Sequence, residues 1–467
     1  MNDKKKLLKW FTSEQIDEIL VSVHQLTTIA ENASVDAIVF YKLTSPTSVE
    51  LFKNRITNSK AHFYIISCDF EVALVENSIV VNQKEFEEIQ KIFVRLIYPL
   101  HEEVKLIGVT GTNGKTSVVN YCAHLLSLIN IPALCIGTMG ISNGKEVIVE
   151  DAINTTPSYV DLMGLVFKFQ DQYKYFFFEF SSHALFQKRL LDIPLDMAAW
   201  TSFSQDHLDF HKTMEAYFEA KLIIFDHLKN TKAKVVLPKN DDFSYKIIEN
   251  SKYKEKVIFT KSLDIEKSKV HFVFHQGFNK SNLEISLMVL AQLGLDKIYD
   301  LDLSGLMPPS GRFEIVKNAN RYAVIDYAHT PDALEKLLGS VQKTFPDSKI
   351  TLVFGCGGNR DAKKRPIMGH IAQRFAHKVI ITNDNPRNEA PEQISQDILS
   401  GITDLNHVEV VLDRKLAIEQ ALSQQSEKIV VVVAGKGHET YQEINGQRSD
   451  FSDKQVIENF YFCSPQK

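Results

Sequence analysis

The residues best suited to chemistry begin with Gly111-Thr112-Asn113-Gly114-Lys115-Thr116-Ser117, which follows the apolar run VKLIGVTG and precedes KTSVVNYCAHLLSLI, apolar at helical spacing. Glycines between a strand and a helix let backbone N–H groups and the helix N-terminus surround phosphates. Lys115 would then reach the β- and γ-phosphates and Thr116 would hold Mg²⁺. The strict P-loop pattern places a glycine where this chain has Val109, with Gly108 one position early. A tight glycine turn is the competing reading, but loop, lysine, threonine and flanking elements together favour a nucleotide. Further on, Glu179 closes the apolar run YFFFEF and offers a carboxylate as a second Mg²⁺ ligand, although a strand-end glutamate can also be merely solvated. Asp206-His207 and His211 form a cluster that could equally satisfy core hydrogen bonds. Lys221, in the helical stretch YFEAKLIIFDHL, could be no more than a solvated charge.

The elements that must position these groups follow from the alternation of apolar runs with helical patterns. After the P-loop segment, strands are expected at YFFFEF, YAVIDY, KITLVFG, KVIITN, VEVVLD and KIVVVVAG, which implies parallel sheets covered on both faces. At 467 residues the chain exceeds one ordinary hydrophobic core, and about 150 residues per domain predicts three. The glycine- and proline-rich stretch GLMPPSGRFE, 305–314, reads as a hinge. The expectation is an α/β protein with a small N-terminal domain over 1–100, a central P-loop parallel-sheet ATPase domain over 101–308, and a C-terminal Rossmann-like domain over 309–467. A net charge of -5 carries no footprint for nucleic acid, so small-molecule partners are expected. No run reaches the roughly 18 apolar residues of a membrane span and no signal peptide is legible, which predicts a cytoplasmic protein with no membrane insertion. The five scattered cysteines encode neither a disulfide framework nor a zinc site. A monomer is expected.

The order GTNGKTS, NTTP, EFSSH, DHLDFH, EAKLIIF, FNKSN, GRFE, DYAHTPDAL, GCGGNRDAKKRP, DNPR and AGKGHE resembles the Mur ligase family over residues 104 to 454. Within it the chain is most similar to members that add meso-diaminopimelate to UDP-N-acetylmuramoyl-L-alanyl-D-glutamate, a cytoplasmic step of peptidoglycan synthesis. The resemblance implies an ATP-dependent, ADP-forming ligase that works through an acyl phosphate. It assigns Gly111, Thr112, Asn113, Gly114, Lys115, Thr116 and Ser117 to the ATP phosphates, Asn279 and Asn282 to the adenine side, and Arg312, Asp326 and His329 to closure over the nucleotide. Lys115, Glu179, His207 and Lys221 become the catalytic set, with Thr116, Glu179, His207 and Lys221 on the metal. Lys221 is the lysine that the family carbamylates, and CO₂ would turn its cation into a carboxylate able to ligate Mg²⁺. Asn154, Thr155, Thr156, Ser182, Gln187, Arg189 and Lys221 would hold the UDP-muramoyl dipeptide. Arg360, Asn385, Pro386, Arg387, Gly435 and Glu439 would hold meso-diaminopimelate, the arginine fork matching its distal carboxylate and Glu439 its ammonium.

The chain also departs from the family. Ser202 and Gln205 stand where an asparagine and an arginine are usual, the NADD signature has become Lys239-Asn240-Asp241-Asp242, and no DSR signature marks the N-terminal region. These changes touch the uridine contacts rather than the ATP chemistry. The segment from Asp242 to Asn279 is short, which implies a trimmed central domain. The alternative readings are another Mur-type ligase (lysine-adding, murein-tripeptide-recycling or folylpolyglutamate), a P-loop switch or motor, and a retired ligase. A switch gives GCGGNRD and AGKGHE no purpose, and a retired ligase should have lost Lys115, Glu179 or Lys221.

Overall fold

A computed structural model describes residues 2–463 apart from 32, 73–74, 150–154, 240 and 427. The described residues form three sheets and one hairpin. The first sheet contains β1 (Gln25–Thr27), β2 (Ala37–Lys42), β3 (Phe63–Ser67) and β4 (Ser78–Val81), all parallel and in chain order. The helix Gln83–Ile97 packs against it with Phe86, Ile89, Ile92 and Phe93 buried on one face, the spacing of an amphipathic helix.

The second sheet holds β5 (Lys105–Thr110), β6 (Ala133–Gly137), β7 (Gly140–Ser142), β8 (Val147–Val149), β9 (Tyr175–Glu179), β10 (Met197–Trp200), β11 (Lys234–Leu237) and β12 (Val257–Phe259). Their order is β12-β11-β10-β5-β9-β6-β7-β8, with an antiparallel edge at β6-β7-β8. β5 lies between β10 and β9, so the turn leaving it opens at the middle of the sheet. The third sheet holds β13 (Glu314–Asn318), β14 (Arg321–Asp326), β15 (Lys349–Phe354), β16 (Lys378–Ile381), β17 (Val408–Val410) and β18 (Ile429–Ala434), in the order β13-β14-β18-β15-β16-β17. Only the β13-β14 pair is antiparallel. The hairpin is β19 (Tyr441–Ile444) with β20 (Gln447–Asp450).

Each strand expected from its apolar run is present. The central strands are buried along nearly their whole length, as parallel strands covered on both faces must be. The helix expected at YFEAKLIIFDHL is shorter than its pattern suggested: it runs Met214–Leu222 and tightens into a 3₁₀ turn, Ile223–His227. The cores continue from sheet to sheet. Ile38, Phe40 and Ile65 belong to one buried cluster with Leu106, Phe176 and Trp200, while Val118, Leu283 and Leu287 join Val324, Leu334 and Leu352 in another. Trp200, fully buried against Phe203, Phe218 and Phe243, anchors the region behind the histidine cluster, and truncating such a ring costs about 3–5 kcal/mol. Among the described residues no helix is long and apolar enough to cross a membrane. Four cysteines, Cys68, Cys122, Cys135 and Cys356, are buried free thiols.

Candidate active site

The loop after β5 turns into the helix Lys115–Leu128 through Gly114, which has φ +88°. A Cβ at Gly114 would lie 2.5 Å from Asn282 Oδ1, and one at Gly111 would lie 2.0 Å from Thr201 Oγ1, so only glycine fits this cradle. Lys115 folds back over the loop and donates to Gly111 O at 2.8 Å and Thr112 O at 3.0 Å. Burial lowers its pKa, against the pull of Glu179 and Asp206. Thr116 Oγ1 donates to Glu179 Oε2 at 2.9 Å, which joins the first turn of the helix to the end of β9. Thr138, unassigned from the sequence, completes the surroundings of that carboxylate: its N–H donates to Oε1 at 3.0 Å and its hydroxyl to Oε2 at 3.1 Å. Ser117 is buried in the same helical turn.

Lys221 is 1% exposed, so the reading of a solvated lysine is excluded. Its Nζ lies 4.6 Å from the Tyr217 ring centroid, one helical turn earlier. Burial, with Lys115 as a like charge, pushes its pKa well below the usual lysine range against the attraction of Asp206. His207, in the left-handed region at φ +53°, sits near Asp206 (3.4 Å) and edge-on to His183, with ring centroids 4.7 Å apart. Partial burial and the neighbouring His183, Lys115 and Lys221 hold its pKa below the imidazole range despite Asp206. Burial would raise the Asp206 pKa, but His207, His329 and Lys115 outweigh it and keep it low. Asp206 is therefore the negative charge around which these basic groups gather. The sequence displayed it beside His207 without giving it a role. His211 bonds Ser182 Oγ at 2.9 Å, the core role that sequence reasoning left open for it.

The four metal candidates do not form one preassembled cluster. Thr116 and Glu179 touch, while His207 and Lys221 lie around Asp206. Among the described residues no group of three or more His, Cys, Asp or Glu side chains could by itself hold a metal. An ATP–Mg²⁺ complex nevertheless fits what is present. The glycine cradle admits no side chain, Lys221 lies in a place that disfavours a positive charge, and Arg312 Nε is buried with no hydrogen-bond partner among the described residues.

Arg312 reaches the P-loop from the far side of the hinge. Its Nη2 is 3.4 Å from Thr116 Oγ1, and its guanidinium stacks 4.4 Å from the Tyr327 ring centroid. Asp326, at the end of β14, accepts from Phe313 N (2.7 Å) and Ala328 N (2.8 Å), pinning the hinge next to Arg312. Burial raises its pKa against Arg312 and these two N–H donors. His329 is held by its Nδ1 on Tyr327 O at 2.8 Å. Asn279 and Asn282 are both buried in the helix Gly277–Gln292; Asn282 packs on Gly114, while Asn279 Oδ1 accepts from Tyr121 Oη at 3.4 Å.

Of the residues expected on the muramoyl side, Thr155 Oγ1 lies 3.3 Å from Thr138 Oγ1, and Thr156 Oγ1 donates to the backbone carbonyl of Glu179 at 2.7 Å, so both threonines adjoin the end of β9. Arg189 Nε donates to Gln187 Oε1 at 2.8 Å in the turn that follows the short helix Ser182–Phe186. Asn154 lies outside the described residues.

The expected amino-acid pocket assembles at the ends of β15, β16 and β18, the strand-end location where open α/β sheets bind ligands. Arg387 Nη1 donates to Gly358 O at 2.8 Å and its backbone, at φ +53°, pairs with β19 through Glu443 O. Asn385 Nδ2 donates to Glu439 Oε2 at 2.9 Å. Glu439 is not free to meet an ammonium alone, because the fully buried Lys436 already donates to it at 2.8 Å and to Asn385 Oδ1 at 3.0 Å. A Cβ on Gly435 would meet Asp384 Oδ2 at 2.6 Å, so Gly435 admits close approach of the two loops. Pro386 carries the carbonyl against which Gly358 packs, and Arg360 lies on the exposed side of the same loop. Arg365 was not anticipated. It is 1% exposed and joins Gly357 O to Glu389 and Asp397 beneath the pocket.

Three α/β sheets, with a P-loop at the middle of the second and Arg312 and Asp332 reaching it from the third, define the class of a multidomain nucleotide-using enzyme. Family models agree with that class: residues 109–296 match the Mur ligase middle domain, and residues 311–437 match the Mur ligase, glutamate ligase domain. The UDP-N-acetylmuramoyl-L-alanyl-D-glutamate–2,6-diaminopimelate ligase of Rickettsia bellii is 37% identical over 397 residues, spanning 78% of this chain and 81% of the relative. The enzyme of the same name from Phocaeicola vulgatus is 36% identical over 418 residues, spanning 83% and 84%. A solved structure of a ligase of that name superposes with a TM-score of 0.60 at 28% identity, over 94% of this chain and 95% of the other. The MurF ligase of Thermotoga maritima in complex with ADP shares the fold at a TM-score of 0.61 and 16% identity, over 95% and 98%. The chain belongs to the Mur ligase family and is an ATP-dependent ligase.

Proposed function

We propose that this enzyme adds meso-diaminopimelate to UDP-N-acetylmuramoyl-L-alanyl-D-glutamate, with ATP converted to ADP, in the cytoplasmic assembly of peptidoglycan precursors. The relatives named for that reaction, at 36–37% identity over about four-fifths of their length, favour it over the lysine-adding, recycling and folylpolyglutamate readings. The observation that carries the mechanism is that Arg312, from the C-terminal side of the hinge, touches Thr116 of the P-loop. On this reading the C-terminal sheet contributes a cation directly to the phosphate site.

The D-glutamyl carboxylate attacks the γ-phosphate of ATP, giving an acyl phosphate and ADP; the amine of meso-diaminopimelate then displaces phosphate. Lys115 is freed from Gly111 O and Thr112 O to follow the phosphate charge, and Arg312 supplies a second cation from across the seam. Mg²⁺, when bound, neutralises the developing phosphate charge, and Thr116, Glu179, His207 and a carbamylated Lys221 would hold it. The depressed pKa of Lys221 favours the neutral amine, the form that combines with CO₂. Thr155, Thr156, Ser182, Gln187 and Arg189 would orient the dipeptide beside Glu179, while Asn385 and Arg387 receive the amino acid. The closed seam keeps water from the acyl phosphate. The test is a product assay with the UDP-muramoyl dipeptide, ATP and Mg²⁺, run with meso-diaminopimelate and with L-lysine. Amide and ADP should appear together with meso-diaminopimelate, and amide formation with lysine alone would overturn the substrate assignment.

A further inference from the structure

Asp332, in the first turn of the helix Pro331–Thr344, reaches the P-loop. Its Oδ2 accepts from Asn113 Nδ2 at 3.0 Å and from Ser204 Oγ at 2.7 Å, both on the central sheet's side of the seam. Lys336 of its own helix approaches the same oxygen at 3.1 Å. Asn113 lies within the phosphate-binding loop. Ser204 is tied to that loop a second time, since its backbone N–H donates to Thr112 Oγ1 at 3.1 Å and its carbonyl lies 3.2 Å from the same hydroxyl. One carboxylate on the C-terminal side therefore holds the loop and the strand-end segment that braces it. An oxygen already accepting from three donors is placed to hold structure rather than to move a proton.

We propose that Asp332 is a closure latch, a positioning residue that keeps the C-terminal sheet against the P-loop between formation of the acyl phosphate and attack by the amine. This rests on the ligase reading. If the seam opens in that interval, water attacks the acyl phosphate, its oxygen ending in the free carboxylate or the phosphate, and ATP is spent with no amide formed. Latch strength should then appear in the ratio of amide to ADP. A role confined to nucleotide binding would change the KM for ATP instead.

The experiment compares wild type with Asp332→Ala, Ser204→Ala and the double variant. It measures amide per ADP, the KM for ATP, and small-angle scattering of the full chain loaded with a non-hydrolysable ATP analogue, with circular dichroism as the check on folding. Removing the shared carboxylate should lower amide per ADP by about tenfold, the scale of losing charge-assisted hydrogen bonds in a two-state closure. The KM for ATP should change little and the radius of gyration should rise. Ser204→Ala should give a smaller fall and add nothing in the Asp332→Ala background. An unchanged amide-to-ADP ratio in Asp332→Ala overturns the latch, and so does an unchanged radius of gyration. A wild type that releases ADP without amide for any amino acid overturns the ligase reading instead, while the scattering comparison still decides whether Asp332 holds the seam.

Discussion

The P-loop region and the proposed amino-acid pocket treat charge in opposite ways. Around the P-loop, Lys115 bonds backbone carbonyls of its own loop, Lys221 is buried against a tyrosine ring and Arg312 keeps a buried Nε without a partner among the described residues. In the C-terminal pocket the charges are already matched: Lys436 with Glu439, Arg365 with Glu389 and Asp397, and, behind them, Arg414 with Asp453, both fully buried. Arg414 also donates to Asn383 O and Ala434 O, the carbonyls just before the DNPR and GKGHE segments. Positive groups whose burial is only partly offset by carboxylates are stabilised further when an anion arrives, which suits a triphosphate that comes and goes. A pocket that must tell one amino acid from another needs fixed walls, and internal ion pairs supply them.

The sharpest way to break this contrast is Lys115→Ala. Removing a preorganised cation from the transferring phosphate should cost about 3 kcal/mol or more, at least a hundredfold in kcat, measured by ADP release. A near-normal rate would place the phosphate charge elsewhere. Next comes Arg387→Ala, expected to lower kcat/KM for meso-diaminopimelate by about tenfold to a hundredfold while leaving the KM for ATP unchanged, since a charge-assisted hydrogen bond to the distal carboxylate is lost. If both substrates suffer equally, Arg387 is part of the frame around Gly358 O and not a selector. The smallest effect is on stability. Lys221 has a depressed pKa when folded, so its protonated form is penalised below the usual lysine value, and that penalty is relieved as pH rises toward 10.5. In CO₂-free buffer Lys221→Met should melt above wild type at pH 7, with the difference shrinking as pH approaches 10.5. A wild type of equal stability, or a gap that widens with pH, would show that Lys221 is not a burdened ammonium.

The P-loop was legible because its parts are contiguous: a strand, two glycines that no side chain could replace, a lysine and a threonine on one turn. The ends of β15, β16 and β18 were legible for a related reason, since each apolar run stops at a motif whose glycines and polar residues cannot continue it. The histidines were less so. His211 bonds Ser182 and His207 gathers at Asp206, and nothing in the spacing of DHLDFH separates those roles.

By itself, then, the sequence determined the order of sheets, the phosphate-binding turn and the family, because each depends on neighbours within a few residues or on motifs read in order. Only the tertiary structure decided which charges are compensated. Lys221 reads as a surface lysine until the chain folds over it, and Glu439 reads as free until Lys436 is found buried beside it. Asn113 and Asp332 are 219 positions apart. Electrostatic energy depends on distance through space and on exclusion of water, and neither quantity exists along the chain before the sheets are packed.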